Sequence, residues 1–255
     1  MSNCLGIKLD RAGAILHLTL NRPKANIVDA EMIAALDKAL AEHQGNHDLA
    51  AVLLAAQGPH FSFGASVEEH LPDSCEAMLK SLHALVRRML EYPVPILVAI
   101  QGQCLGGGLE VAMAGHHLFA APDANLGQPE MMLGVFAPAA SCLMPERIGQ
   151  ARAEDLLYSG RSLSGEQALA IGLVDRVADG PTTAALAYFD EHLAPKSASS
   201  LRMAVKAARA GYTARMIARI EEVETLYLND LMSTRDAVEG LEAFLAKRPA
   251  KWENQ

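Results

Sequence analysis

The chain has 255 residues, is 51% hydrophobic and 20% charged, and carries a formal net charge of −8. That composition is ordinary for a globular protein and is long enough for one large domain, or for one domain with an appendage. The acidic balance argues against nucleic acid as the main partner, because binding phosphates needs a basic footprint.

The predicted elements alternate through the N-terminal part. Ile15–Leu20 sets Leu16, Leu18 and Leu20 on one face and His17 and Thr19 on the other, a half-buried strand. Asn21, Pro23 and Asn26 punctuate a turn, and Asp29 is placed to cap a helix carrying Ile33, Leu36 and Leu40 on one stripe. Residues 50–56 (AAVLLAA) read as a buried strand. Residues 74–90 place Met78, Leu82, Leu85, Val86 and Met89 at helical spacing. The Tyr92-Pro93-Val94-Pro95 run ends that helix and launches a strand over residues 96–100, followed by a helix at 108–114 and a strand at 117–121. This rhythm predicts parallel pairing with helical crossovers. Residues 172–177 are the last expected strand. Beyond them only helices are predicted, over 182–193, 197–210, 214–232 and 235–247, with Pro195 as the boundary between a core (1–195) and a helical region (196–255).

Residues 96–121 contain one acid, Glu110, and no lysine or arginine. A carboxylate in such surroundings is costly to ionise unless it is paired, so its presence asks for a reason. The run is long enough to span a bilayer, but its glycines, Gln101, Gln103, Glu110, His116 and His117 break it, so no membrane span is expected. Just before Glu110 stand Gly106, Gly107 and Gly108, which let backbone N–H groups approach a ligand at a helix start and could stabilise an oxyanion. The same glycines would equally serve tight helix–sheet packing. A second loop, Phe61-Ser62-Phe63-Gly64-Ala65-Ser66, follows the 50–56 strand, so both loops lie where parallel sheets deliver ligand sites. The third element is Gly127-Gln128-Pro129-Glu130. An isolated turn glutamate is usually solvated, but two carboxylates in unlike environments can divide acid and base roles.

Other chemistries find no support. Adjacent His116 and His117 would point apart on a strand, and Cys4, Cys75, Cys104 and Cys142 have no metal-ligand spacing, so no metal is expected. There is no phosphate loop, dinucleotide spacing or serine-nucleophile elbow. Scattered cysteines and an opening MSNCLG without an apolar signal segment predict reduced thiols in a cytoplasm.

At these residues the chain resembles the enoyl-CoA hydratase/isomerase (crotonase) family. The likeness runs nearly end to end, through Asn21-Arg22-Pro23-Lys24-Ala25-Asn26, Phe61 to Ala65, Gly102 to Glu110, Gly127 to Glu130, Gly172-Leu173-Val174 and Phe244-Leu245-Ala246-Lys247-Arg248-Pro249. The resemblance implies an α/β fold, a crotonase-like spiral of ββα units followed by a C-terminal helical trimerisation region, assembled as a homotrimer or a homohexamer (a dimer of trimers). It implies an acyl-CoA thioester substrate and no separate cofactor, coenzyme A being part of the substrate. By the same likeness the Ala65 and Gly107 N–H groups would form an oxyanion hole, and Glu110 and Glu130 would handle water and proton. Lys24, Ala25, Asn26, Ser66 and Val67 would line the CoA groove, largely through backbone contacts.

Two departures bear on specificity. Ser66 stands where the family usually has Asp, and Gly134-Val135-Phe136-Ala137-Pro138-Ala139-Ala140-Ser141 replaces a Gly-Gly helix opening, which reshapes the acyl pocket. The combination of FSFGASVEEHLP, QCLGGGLEVA and GVFAPAASCL is similar to one branch of the family, which hydrates a cyclic conjugated dienoyl thioester in anaerobic aromatic degradation. A plain enoyl-CoA hydratase, a double-bond isomerase, a ring-opening hydrolase and a non-catalytic acyl-CoA-binding protein remain alternatives at this point.

Overall fold

The computed structural model describes residues 4–255. An antiparallel hairpin of β1 (Leu5–Asp10) and β2 (Ile15–Leu20) opens the chain, followed by α1 (Ala30–His43), β3 (Ala51–Ala56), α2 (Cys75–Leu90) and β4 (Ile96–Ile100). Short β5 (Gln103–Leu105) leads into α3 (Gly107–Met113), then β6 (His117–Ala120) and β7 (Asn125–Gly127). Helices α4 (Pro138–Ile148) and α5 (Gln150–Ser159), strand β8 (Ser162–Ser164), helix α6 (Gly165–Ile171) and strand β9 (Arg176–Val177) complete the mixed region. Three helices close the chain: α7 (Pro181–Tyr188), α8 (Ala198–Asn229) and α9 (Arg235–Leu245).

Among the described residues, six strands form one sheet in the order β1-β2-β3-β4-β6-β9, parallel from β2 onward. Alternation decides what each face buries. Leu16, Leu18, Leu20, Val52, Leu54, Val98 and Ile100 join the main core. Ile15, Ala51, Leu53, Leu97, Ala99 and Phe119 pack on the opposite face against Ala185, Phe189 and Leu193. A second, three-stranded sheet, β5-β7-β8, stands beside the first, with β5 and β7 parallel in the register Leu105↔Gly127. That small sheet positions the site.

The N-terminal expectations hold in detail. Asp29 caps α1 by accepting from the Met32 N–H at 3.0 Å, and Ile33, Leu36 and Leu40 are buried. The strands at 50–56, 96–100 and 117–121 and the helices at 74–90 and 108–114 are found within a residue of their expected bounds. The C-terminal part departs more. Residues 172–175 form no strand, because Gly172 and Leu173 close α6 by bonding back to Leu169 and Ala168, which leaves only Arg176–Val177 to pair with β6. The two helices expected across 197–232 are one helix of 32 residues. Gly211 costs that helix about 1 kcal/mol in propensity, which the burial of Met216, Ile220 and Tyr227 outweighs. The hairpin strand β1, the short β5 and β8, and helices α4 to α6 had no clear periodic signal.

Candidate active site

The loop after β3 is held by one buried serine. The Ser62 N–H donates to the Gln103 carbonyl at 2.9 Å, and its own carbonyl accepts from Leu105 at 3.0 Å, which zips the loop onto β5. The Ser62 hydroxyl donates to the Asn26 carbonyl at 2.8 Å and accepts from the Gly64 N–H at 3.0 Å. Phe63 donates to Ala25, and Val28 to Gly64, each at 2.9 Å. Gly64 has φ +110, a conformation side chains rarely adopt, and a Cβ there would lie 3.2 Å from the Leu105 carbonyl oxygen. The chain therefore turns at Gly64 and brings Ala65 against the start of α3.

Each glycine of the 106–108 run has its own reason. Gly106 adopts φ +49 and donates its N–H to Gly127 at 3.0 Å; a Cβ on it would sit 2.5 Å from Glu130 Oε1. A Cβ on Gly107 would lie 3.0 Å from Ala65 Cβ and 3.2 Å from the Ala65 nitrogen. One on Gly108 would meet the Ser62 Cβ at 2.6 Å. Close packing is thus the business of Gly108, against the loop and not the sheet, while Gly106 and Gly107 give backbone access. Among the described residues, the N–H groups of Ala65 and Gly107 make no hydrogen bond to the chain.

Glu110 lies in the first turn of α3 and is buried. The Ala140 N–H at the start of α4 donates to Glu110 Oε1 at 2.9 Å. Burial pushes the Glu110 carboxyl up to about 7, against the opposing pull of the Ala140 and Ala139 amides. Glu130 stands in a single 3₁₀ stretch, Pro129–Leu133, directly after β7. Burial, and then the charge of Glu110, push it up to about 8. With its amide turned to donate, buried Gln128 reaches both Glu130 oxygens, at 3.0 and 3.1 Å, and works against that rise. Two acids 20 positions apart in sequence thus meet because the β5–β7 register sets Gly106 beside Glu130.

Both acids, Ala65 and Gly107 line one cavity of about 420 Å³. Its other walls are mostly apolar, with Val67, Leu79, Leu82, Phe136 and Leu241 among them. Phe136, one of the residues in the altered helix opening, packs edge-on against the buried Tyr227 ring with centroids 5.2 Å apart. The other expected residues scatter more widely. Val67 reaches the cavity, while Lys24 and Ala25 border a smaller recess that shares Phe63 with it. The Asn26 side chain is buried and spent inside the loop, accepting from the Arg22 N–H and donating to the Gln57 and His60 carbonyls. Ser66 donates its hydroxyl to Glu68 at 3.0 Å, in the 3₁₀ turn Glu68–His70.

Sequence reasoning passed over Gln128, the Ala139 and Ala140 amides, and His70, which also lines the cavity. Gln128 carried a signal, being a polar residue next to the acid in a quoted motif; the amides and His70 carried none without their neighbours. His116 accepts from the Ile96 N–H at 3.1 Å through Nδ1, and no group of three or more His, Cys, Asp or Glu able to hold a metal occurs among the described residues.

A family model described as Enoyl-CoA hydratase/isomerase matches residues 10–255. The chain is 64% identical over 254 residues to the cyclohexa-1,5-dienecarbonyl-CoA hydratase of Thauera aromatica, covering 100% of this chain and 98% of that one. It is 30% identical over 264 residues to a probable enoyl-CoA hydratase of Bacillus subtilis, covering 99% and 100%. A crystal structure of an enoyl-CoA hydratase/isomerase from Pseudoalteromonas atlantica superposes with a TM-score of 0.85 at 28% identity, covering 98% of this chain and 99% of that one.

Proposed function

This chain belongs to the enoyl-CoA hydratase/isomerase family, and we propose that it hydrates cyclohexa-1,5-diene-1-carbonyl-CoA to 6-hydroxycyclohex-1-ene-1-carbonyl-CoA. It is a hydro-lyase on this reading, in anaerobic benzoyl-CoA degradation. The observation that carries it is a buried acid, Glu110, and a half-buried one, Glu130, both with raised pKa values, facing one cavity with two free amides.

The chemistry follows from the ring. Water attacks the carbon β to the thioester carbonyl on the substrate's C1=C2 bond, and the electron pair moves onto the thioester oxygen. The resulting dienolate spans the C5=C6 bond, so a proton taken at C5 shifts the remaining double bond beside C1. Hydroxyl and proton are added at opposite ring carbons, one water in total, and renumbering gives the 6-hydroxy-1-ene. The Ala65 and Gly107 N–H groups meet the oxygen's charge, at roughly 3 kcal/mol for each donor. Glu110 takes the proton from water, and Glu130, whose ionisation the charge of Glu110 opposes, delivers one to C5. The pair titrates together, since the charge of Glu110 raises Glu130.

The coenzyme A arm leaves the cavity past Phe63 toward Lys24 and Ala25, with Asn26, Ser66 and Val67 shaping the same edge. No further cofactor takes part, and neither nucleic acid nor a membrane is a partner. We place the enzyme in the cytoplasm; among the described residues no helix is long and apolar enough to cross a membrane. Residues 1–195 carry both acids and both amide donors, and 196–255, which also lend Leu241 to the cavity wall, form the helical region through which a homotrimer or homohexamer assembles.

The test is to incubate purified protein with the dienoyl thioester and, separately, with crotonyl-CoA, following products by mass spectrometry. The expected result is gain of one water by the cyclic ester, at a rate well above that for crotonyl-CoA. Brisk hydration of crotonyl-CoA with an untouched diene overturns the substrate assignment.

A further inference from the structure

His70 is the third titratable side chain on the cavity, after the two acids, and the proposed chemistry leaves it without a task. It closes the 3₁₀ turn Glu68–His70, and its Nδ1 lies 2.7 Å from the Ser66 carbonyl oxygen. A carbonyl can only accept, so Nδ1 must carry the hydrogen. Burial lowers the His70 pKa, so the ring is neutral near pH 7, and its remaining nitrogen, Nε2, presents a lone pair. Among the described residues Nε2 has no hydrogen-bond partner and, unlike Nε2 of His83 and His116, it is not sealed in the core. The turn itself is anchored, since the Glu69 carboxylate accepts from the Ala30 N–H at 3.1 Å and fastens it to the start of α1. An acceptor is therefore held in a fixed orientation on a largely apolar wall.

We propose that His70 Nε2 is a specificity-determining acceptor that hydrogen-bonds the attacking water and then the hydroxyl it becomes in the product. The inference rests on the hydratase reading. The ring of the diene is hydrocarbon and its carbonyl oxygen needs donors, so the acyl part of the substrate offers Nε2 nothing to accept. Water and the product hydroxyl do. An acceptor left facing a hydrocarbon ring is penalised, so a water bonded to Nε2 is kept in the site when the diene enters.

Inhibition constants measured in initial-rate hydration assays test this, using the 6-hydroxy-1-ene ester and its 6-deoxy counterpart. In the unaltered enzyme the hydroxy ester inhibits more tightly. His70→Asn keeps a donor for Ser66 but has nothing at the Nε2 position, and the preference for the hydroxy ester is expected to fall about tenfold, the worth of one neutral hydrogen bond. His70→Gln, which puts an amide oxygen near that position, restores most of it. His70→Met replaces the Asn variant should that one not fold. If both esters weaken in parallel, His70 serves only the Ser66 turn or the coenzyme A arm, and the proposal is overturned while the hydratase reading stands. An unaltered enzyme that does not hydrate the diene overturns the hydratase reading itself.

Discussion

Glu110 and Glu130 can be set against a second polar pair, buried His83 and half-buried Glu224, which join α2 to α8. His83 Nδ1 lies 2.5 Å from Glu224 Oε2, and the imidazole is almost entirely enclosed. There an acceptor and a potential donor satisfy each other, although His83 Nε2 stays buried without a partner. The two glutamates do the reverse: each can only accept when ionised, and the charge of Glu110 makes ionising Glu130 harder. Their compensation comes from amides, those of Ala139, Ala140 and Gln128, and among the described residues no cation faces them in a hydrogen bond or ion pair. A donor and acceptor hold two helices together, whereas two like acids on one cavity are kept at a cost to stability.

The comparison breaks most visibly in rate. Glu110→Gln and Glu130→Gln should each lower kcat by about 10²- to 10⁴-fold with KM little changed, while His83→Leu leaves kcat near its starting value. Steady-state hydration assays decide it, and a near-normal Glu110→Gln enzyme would remove that residue from the proposed proton path. Gly106→Ala comes next. The new methyl must displace the Glu130 carboxylate, and a shift of that size should lower kcat on the order of 10²-fold in a protein whose circular dichroism is unchanged.

Stability sharpens the same contrast on a smaller scale. Glu110 has a folded pKa of about 7 against an ordinary 4.5, so the native state keeps a proton that the unfolded chain has released. The stability this brings is full below about 4.5 and is lost as pH rises through about 7. Glu110→Gln should therefore unfold at higher denaturant than the unaltered protein at pH 8, by roughly 3 kcal/mol, and about equally at pH 4.5. His83→Leu should move the other way, losing about 2 kcal/mol at pH 8 because the Glu224 carboxylate stays behind half-enclosed. Urea titrations at the two pH values read both. A Glu110→Gln protein that is destabilised at pH 8 would mean the carboxylate is better compensated than its surroundings indicate.

Much of the scaffold was legible residue by residue. The alternation in Ile15–Leu20, the Asp29 cap and the apolar stripe of α2 are local patterns, and local sterics and hydrogen bonding suffice to realise them. Both acids stand in motifs visible in the sequence, while the two amides proposed as donors came only from the family likeness. The short strands β5 and β8 could not, since three residues carry too little periodicity to announce themselves. Nor could the fate of Asn26, whose side chain is consumed by three loop contacts instead of being free for a ligand.

What the sequence determined by itself was the set of candidate groups and the order in which strands and loops would present them. Tertiary structure alone decided their mutual placement: the parallel register of β5 on β7 that brings Glu130 to Gly106, the start of α4 that aims the Ala140 amide at Glu110, and the turn that leaves His70 with one nitrogen spent and one open. The reason is physical. Caps and stripes depend on neighbours a few positions away, whereas pKa values and open lone pairs depend on what long-range packing removes from water.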